Sequence, residues 1–315
     1  MSRPTLEDIE AAGERIAGVA RRTPLERSRW LSREMARDVW LKLECFQATG
    51  SFKIRGAMAK LSLLAQSTGE VLTVSAGNHG LAVAHCAEAL GLNATIVVPE
   101  SASRAKVEAI RRFRVNLIER GASYDEAERV ARAMGRESGA RFVSPYNDFD
   151  VIAGQGTIAL EMLEDQPRLE AIIVPVGGGG LIAGVAIAAK ALNPDIKIYG
   201  AEPAASPTMR EAFKAGRIIE IREEETIADG LAGNIEPGSI TFPIARELVD
   251  DILPVSEHSI RAAIRRAARE DHLMIEGAAA VALAALGEAR IQHEKIGVII
   301  SGRNITLDLF KEVLG

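Results

Sequence analysis

Nine of the 38 basic residues are lysines, so a reactive amine has few candidates, and Lys53 stands apart from the others. It lies in FQATGSFKIRGA, where Thr49, Gly50 and Ser51 make a turn with hydroxyl donors, and Phe52 and Ile54 flank the amine with apolar surface. Burial lowers a lysine pKa and favours the neutral nucleophile that a Schiff base requires. A partly buried helical lysine paired to a carboxylate has the same local signature, and the segment alone leaves both readings open. A second feature is GGGGLIAG, Gly177 to Gly184, which enters an apolar helical stretch from the run AIIVPV. Without Cβ atoms the backbone of Gly177, Gly178, Gly179 and Gly180, followed by Leu181, can approach an anion closely, and its N–H groups at a helix start suit a phosphate. Gly178, Gly180 and Ala183 also satisfy G-x-G-x-x-A, with Glu202 ending the next β-rich run, which is formally a dinucleotide fingerprint.

Two further segments carry polar groups at strand ends. In SAGNHG, Ser75 to Gly80, a hydroxyl, an amide and several backbone N–H groups converge on one point, an arrangement that suits a carboxylate. His79 by itself reads as a structural histidine, whereas Asn78 has no capping role once the helix has begun. SGRN, Ser301 to Asn304, places another hydroxyl at the end of the last apolar run.

The elements that must hold these segments follow from the pattern. Thr5 with Asp8 makes a capping box for a first helix, with Ile9, Ile16 and Val19 on its apolar side. Short β-rich runs at 39–43, 71–74, 94–98, 115–118, 141–143, 171–176, 196–200, 251–255 and 296–300 are mostly followed by helix-length stretches. That alternation predicts an α/β chain with two open, doubly wound parallel sheets covered on both faces. Residues 70–146 are expected to form a small domain, and 1–69 with 147–315 a large one. Ligands sit beyond the carboxyl ends of such strands, which directs attention to the loops after Val74, Val176 and Ile300.

Composition narrows the class. The 315 residues are 47% apolar and 26% charged, with a net charge of -5 and only 8 Phe, 2 Trp and 3 Tyr. Neither the basic footprint nor the stacking platforms of a nucleic-acid binder are present. Residues 171–189 are uncharged and nominally long enough to span a bilayer, but Pro175 and the four glycines predict a strand, a loop and a helix instead. Cys45 and Cys86 show no metal or redox spacing, and residues 1–10 show no signal peptide, so a cytoplasmic protein without membrane partners is expected.

Taken together, TGSFKIRGA, SAGNHG, VIAGQGTIALE (Val151 to Glu161), VPVGGGGLIAG, AEP (Ala201 to Pro203), ADG (Ala228 to Gly230) and SGRN are similar to the pyridoxal-phosphate enzymes of fold type II. Within them the chain resembles the threonine/serine dehydratase and serine racemase group, of tryptophan synthase β-like architecture. The segments run in family order along nearly the whole chain. The resemblance implies pyridoxal 5'-phosphate as cofactor, Lys53 as the Schiff-base lysine and Asn78 as the amide contacting the ring oxygen. It also implies Gly177 through Leu181 as the phosphate loop, Ser301 as partner of the pyridine nitrogen, and Ser75, Ala76, Gly77, Asn78 and His79 as the loop receiving the substrate carboxylate. The small domain is then substrate-gating, the large one cofactor-binding, and a homodimer is expected.

The departures bear on the reaction. Racemases of this group have a serine where this chain has Ala76, which cannot transfer a proton. Of the two carboxylates of the family's divalent-cation site, Glu202 matches the first and Thr208 stands at the second, which argues against bound Mg²⁺ or Mn²⁺. Arg303 replaces a commoner glycine; it either binds a substrate carboxylate or pairs with a surface acid. With eleven residues after Asn304, feedback control through an appended regulatory domain is not expected. The expected activity is a dehydratase (ammonia-lyase) acting on L-threonine or L-serine. A less common substrate such as 3-hydroxyaspartate, phenylserine or a hydroxyectoine-derived amino acid, serine racemisation, and a non-catalytic phosphate- or dinucleotide-binding protein are the alternatives.

Overall fold

A computed structural model describes residues 3–67, 69–287 and 291–315. Among these, ten strands occur in chain order: β1 (Leu25–Arg27), β2 (Asp38–Lys42), β3 (Glu70–Val74), β4 (Asn93–Val98), β5 (Asn116–Glu119), β6 (Arg141–Phe142), β7 (Ala171–Pro175), β8 (Lys197–Pro203), β9 (Asp251–Val255) and β10 (Lys295–Ile299). They form a six-stranded sheet of order β1-β2-β10-β7-β8-β9 and a four-stranded sheet of order β5-β4-β3-β6. Every pairing is parallel except β1 with β2. The chain is thus α/β with two open sheets, the smaller drawn from residues 70–142 and the larger from segments on both sides of it.

The period-2 geometry of a strand explains how one sheet serves two cores. In β7, Ile172 and Val174 join the apolar cluster of the helices Phe149–Asp165 and Gly180–Leu192. Ile173, between them, joins the opposite cluster with the helices Glu257–Glu270 and Gly277–Ala285. All five β7 residues are buried, which is why this run is continuously apolar rather than alternating. The suspected bilayer span at 171–189 resolves as expected into β7, a glycine loop and a buried helix, and no helix among the described residues is long and apolar enough to cross a membrane.

The first helix, Leu6–Ile16, has its capping box: the Asp8 N–H donates to Thr5 Oγ1 at 3.2 Å and the Thr5 N–H to Asp8 Oδ2 at 2.8 Å. Val19 lies past its end, partly buried against the same core. Nine strands fall within a few residues of their sequence positions. β1 was not anticipated, because its three residues, Leu-Glu-Arg, are partly to fully exposed and carry no alternation.

Close helix packing places the functional helices. A Cβ on Gly184 would lie 2.3 Å from the Ile152 carbonyl oxygen, and one on Gly154 would lie 2.6 Å from that of Arg55. The helices Gly180–Leu192, Phe149–Asp165 and Lys53–Leu64 therefore approach backbone to backbone. Gly184→Ala is expected to destabilise the fold by about 1–3 kcal/mol through overpacking, whereas Gly69→Ala, with nothing within 4 Å of its Cβ, should be near neutral. Urea midpoints check this, and equal midpoints for the two variants would contradict the close approach.

Candidate active site

The turn carrying Lys53 hangs on the end of β10. The Phe52 N–H donates to the Ser301 carbonyl at 3.0 Å, and Ser51 bridges to Gly302. Gly50, at φ +75°, makes the turn possible. Lys53 opens the helix Lys53–Leu64, and its Nζ donates to the Pro145 carbonyl at 2.8 Å. Burial pulls this amine down to about 8, against the opposing charge of Glu276, so a usable neutral fraction exists near physiological pH.

Beneath it lies a buried charge cluster. Arg55 forks onto both oxygens of Glu44 at 2.8 Å each and reaches Glu161 Oε1 at 2.7 Å. Lys42 donates to Glu161 Oε2 at 2.5 Å, and Thr23 Oγ1 donates to Glu44 at 2.5 Å. Burial alone would raise the Glu44 carboxyl, but Arg55 and Thr23 hold it below its ordinary range.

The strand-end loops meet in one cavity of about 1970 Å³. Every site residue expected from sequence lines it except Glu202: Lys53, Ser75 through His79, Gly177 through Leu181, and Ser301. Tyr146, Leu231 and Asn234 line it too. The backbone N–H groups of Gly177 through Leu181 have no acceptor among the described residues, and no side chain caps the helix Gly180–Leu192 that they lead into. Five consecutive donors at a helix N-terminus fit a phosphate. Two of the glycines answer a second demand as well, since a Cβ on Gly178 would lie 2.4 Å from the Tyr146 ring and one on Gly180 2.8 Å from Tyr146 Cβ. Gly179 has φ +86°. The Ser301 hydroxyl, at the end of β10, has no partner among the described residues. A buried amine, a row of free N–H groups and a free neutral hydroxyl on one cavity fit the pyridoxal phosphate that the resemblance implies.

The loop after β3 is polar in a graded way. Ser75 Oγ accepts from the Gly77 N–H at 3.1 Å. His79 Nε2 is within 3.0 Å of Thr73 Oγ1 and 3.2 Å of the Val143 carbonyl, and burial drops it to about 3. Its ring therefore stays neutral and ties the small sheet together. Asn78 instead donates through Nδ2 to Glu276 Oε1 at 2.7 Å and accepts at Oδ1 from Asn304 Nδ2 at 2.6 Å. Burial pushes the Glu276 carboxyl up to about 7, with the Asn78 bond pulling it down. Sequence reasoning missed Glu276. Its one signal was a lone acid ahead of the uncharged helix Gly277–Ala285, which reads as an N-cap, yet the side chain makes no capping bond.

Glu202 lies away from the cavity. Its oxygens accept the N–H groups of Met209 at 2.8 Å and Arg210 at 3.0 Å, at the start of the helix Thr208–Ala215, while Thr208 Oγ1 donates to the Gly233 carbonyl at 3.3 Å. Burial pushes the carboxyl up to about 8. A carboxylate so engaged meets neither a ribose hydroxyl, as the dinucleotide reading needs, nor a divalent cation, and these residues do not fit a metal site. Arg303 makes no ion pair among the described residues. It is exposed outside the cavity lining, with its guanidinium 5.8 Å from the Phe46 ring centroid.

Residues 16–302 match the family described as pyridoxal-phosphate dependent enzyme. An L-threonine ammonia-lyase of Thermotoga maritima is 40% identical over 313 residues, covering 98% of this chain and 78% of the relative. A serine racemase of Oryza sativa subsp. indica is 39% identical over 318 residues, covering 98% of this chain and 93% of the relative. The solved structure of maize serine racemase superposes with a TM-score of 0.94 at 37% identity, covering 99% of this chain and 97% of that one.

The engagement of Glu202 has a testable consequence. Dialysis against EDTA should leave the melting midpoint unchanged, and millimolar Mg²⁺ or Mn²⁺ should add no stabilisation, since a ligand of the native state must raise it. A calorimetric rise with either cation would show that other oxygens supply a site.

Proposed function

The chain belongs to the pyridoxal-phosphate dependent enzymes, and we propose that it is a dehydratase (ammonia-lyase) converting L-threonine or L-serine to the 2-oxo acid and ammonia. The observation that carries this reading is the convergence of the Lys53 amine, the free N–H groups of Gly177 through Leu181 and the Ser301 hydroxyl on one cavity. In this proposal those N–H groups hold the cofactor phosphate, Lys53 is its covalent anchor, Ser301 meets the pyridine nitrogen and Asn78 the ring oxygen. The bound cofactor supplies an electron sink that makes the substrate Cα–H bond acidic.

The protein's own groups do the rest. Ser75 and the N–H groups that open the helix Asn78–Leu90 hold the substrate carboxylate, orienting the Cα–H bond toward Lys53. Once the substrate amine has taken its place on the cofactor, the freed neutral Nζ would take the Cα proton, for which a pKa of about 8 is well matched. The same nitrogen, now cationic, returns a proton to the departing β-hydroxyl, which leaves as water. Hydrolysis of the released enamine then consumes one water, equal to the one lost, and gives the 2-oxo acid and ammonia. Ser301 offers a neutral hydroxyl and not a carboxylate, which favours prompt loss of a β-leaving group over a long-lived carbanion. The small unit at 70–146 gates the substrate in this scheme, a reading supported by two ion pairs that join it to residues beyond it and line the cavity: Arg132 of its helix Tyr124–Ser138 with Glu236 at 3.0 Å, and Lys106 with Asp229. The cytoplasmic compartment and the homodimer belong to the same proposal, and two buried, free cysteines suit a reducing compartment.

Serine racemisation is a second reading, favoured by the presence of serine racemases among the relatives. Against it stands Ala76, whose methyl group lines the cavity and packs against the cluster of Ile110 and Val98. Lys53→Ala is expected to abolish both turnover and the visible absorbance of the bound cofactor, with the fold intact by circular dichroism. Retention of the colour would move the anchor to another lysine.

Wild-type protein given L-serine should yield pyruvate with almost no D-serine, and Ala76→Ser should raise the D-serine fraction with solvent deuterium at Cα. Substantial D-serine from the unmutated protein, measured by chiral chromatography, would move the assignment to racemase.

A further inference from the structure

Two glycines outside the phosphate loop make room for one side-chain network. A Cβ on Gly302 would fall 2.3 Å from Glu276 Oε1, and one on Gly50 would fall 2.5 Å from Asn304 Oδ1. Asn304 Nδ2 donates to the Thr49 carbonyl at 2.9 Å and to Asn78 Oδ1 at 2.6 Å, and the Asn304 N–H donates to Glu276 Oε2 at 3.0 Å. Asn78 Nδ2 closes the ring on Glu276 Oε1 at 2.7 Å.

The donor and acceptor roles in this ring are forced. A backbone carbonyl cannot donate, so Thr49 requires the amide nitrogen of Asn304 on its side. Both Asn304 amide hydrogens are then spent, and Asn78 must present its oxygen to Asn304 and its nitrogen to Glu276. One hydrogen of Asn78 Nδ2 goes to Glu276, and the other has no acceptor among the described residues. Asn78 lines the cavity with Lys53 and Ser301.

We propose that Glu276 and Asn304 are positioning residues that lock the flip of the Asn78 amide, so that Asn78 faces the cavity as a hydrogen-bond donor. This rests on the cofactor reading above, in which that donor meets an oxygen of the pyridoxal ring. Glu276 is suited to the task because two donors, from Asn78 and Asn304, converge on its two oxygens, and above about pH 7, where it is ionised, the carboxylate accepts both. A glutamine offers one acceptor and one donor there, so one of the two incoming N–H groups is left unpaired or Asn78 is driven to turn over against Asn304.

The test is a mutant cycle on cofactor binding, read by titrating apoprotein with pyridoxal phosphate and following absorbance and fluorescence. Glu276→Gln and Asn304→Ala should each weaken binding by about tenfold to a hundredfold in the wild-type background. In an Asn78→Ala background neither should weaken it further, because both act through that amide. A role in packing alone would give equal losses in both backgrounds and overturn the proposal, as would unaltered affinity of Glu276→Gln in the wild-type background. Melting midpoints of the apoproteins report folding, and if Glu276→Gln fails to fold, Asn304→Ala runs the same cycle from the other partner. Absence of pyridoxal-phosphate binding by the wild type would instead sink the functional reading, and this inference with it.

Discussion

The buried pairing of Arg55 with Glu44 is the constraint on which the site rests. It joins four elements at one point: β2 through Lys42, the short 3₁₀ turn Glu44–Phe46, the helix Lys53–Leu64, and the helix Phe149–Asp165 through Glu161. Two cations and two carboxylates face one another with Arg55, Glu44 and Lys42 almost wholly out of water. Such a cluster adds little net stability over an apolar packing of the same shape, but removal of one member strands the rest, at a cost of about 3–5 kcal/mol. Its value is in specifying position. Arg55 lies two residues beyond Lys53, so the fork that fixes the guanidinium also fixes the helix start from which the amine projects.

How much of this was legible depends on whether a role leaves a local trace. Buried parallel strands do, because both faces are covered and the run turns apolar, as in β7. Close backbone approaches do, because the absence of Cβ is written as glycine. The edge strand β1 left none: it is short, exposed and joined to the sheet by backbone bonds that any residue makes. Glu276 left a misleading trace, since its partners Asn78 and Asn304 are 198 and 28 residues away in the chain. The glycines of the 177–180 loop were read for an anion alone, whereas the Tyr146 ring that presses on them comes from the stretch after β6, about 30 residues earlier, and could not be seen from the loop.

The electrostatics of the cavity follow from burial more than from net charge. Lys53, Glu276 and His79 are each moved toward their neutral forms, the first to about 8, the second to about 7 and the third to about 3. The site thus gathers an amine near its titration point, a carboxyl near its own and an imidazole that does not titrate at all in the working range. In the proposed reaction proton traffic falls to the amine, and the imidazole is left to bracing.

The stretch from Val143 to Asn147, where the chain leaves the small sheet, touches every part of this arrangement. Val143 offers its carbonyl to His79, Pro145 offers its own to Lys53, Tyr146 lies on the glycine loop, and Asn147 holds Glu236 and the Ile240 N–H. Five consecutive residues thus act as a crankshaft and not as a tether: any rotation of the small sheet turns the carbonyl that steadies the amine and the ring that seats the glycine loop together. The two sheets are consequently poor candidates for modular exchange. A graft that brought a foreign small unit onto this large one would have to reproduce the connecting pentapeptide in register, however well the interface between the sheets was matched.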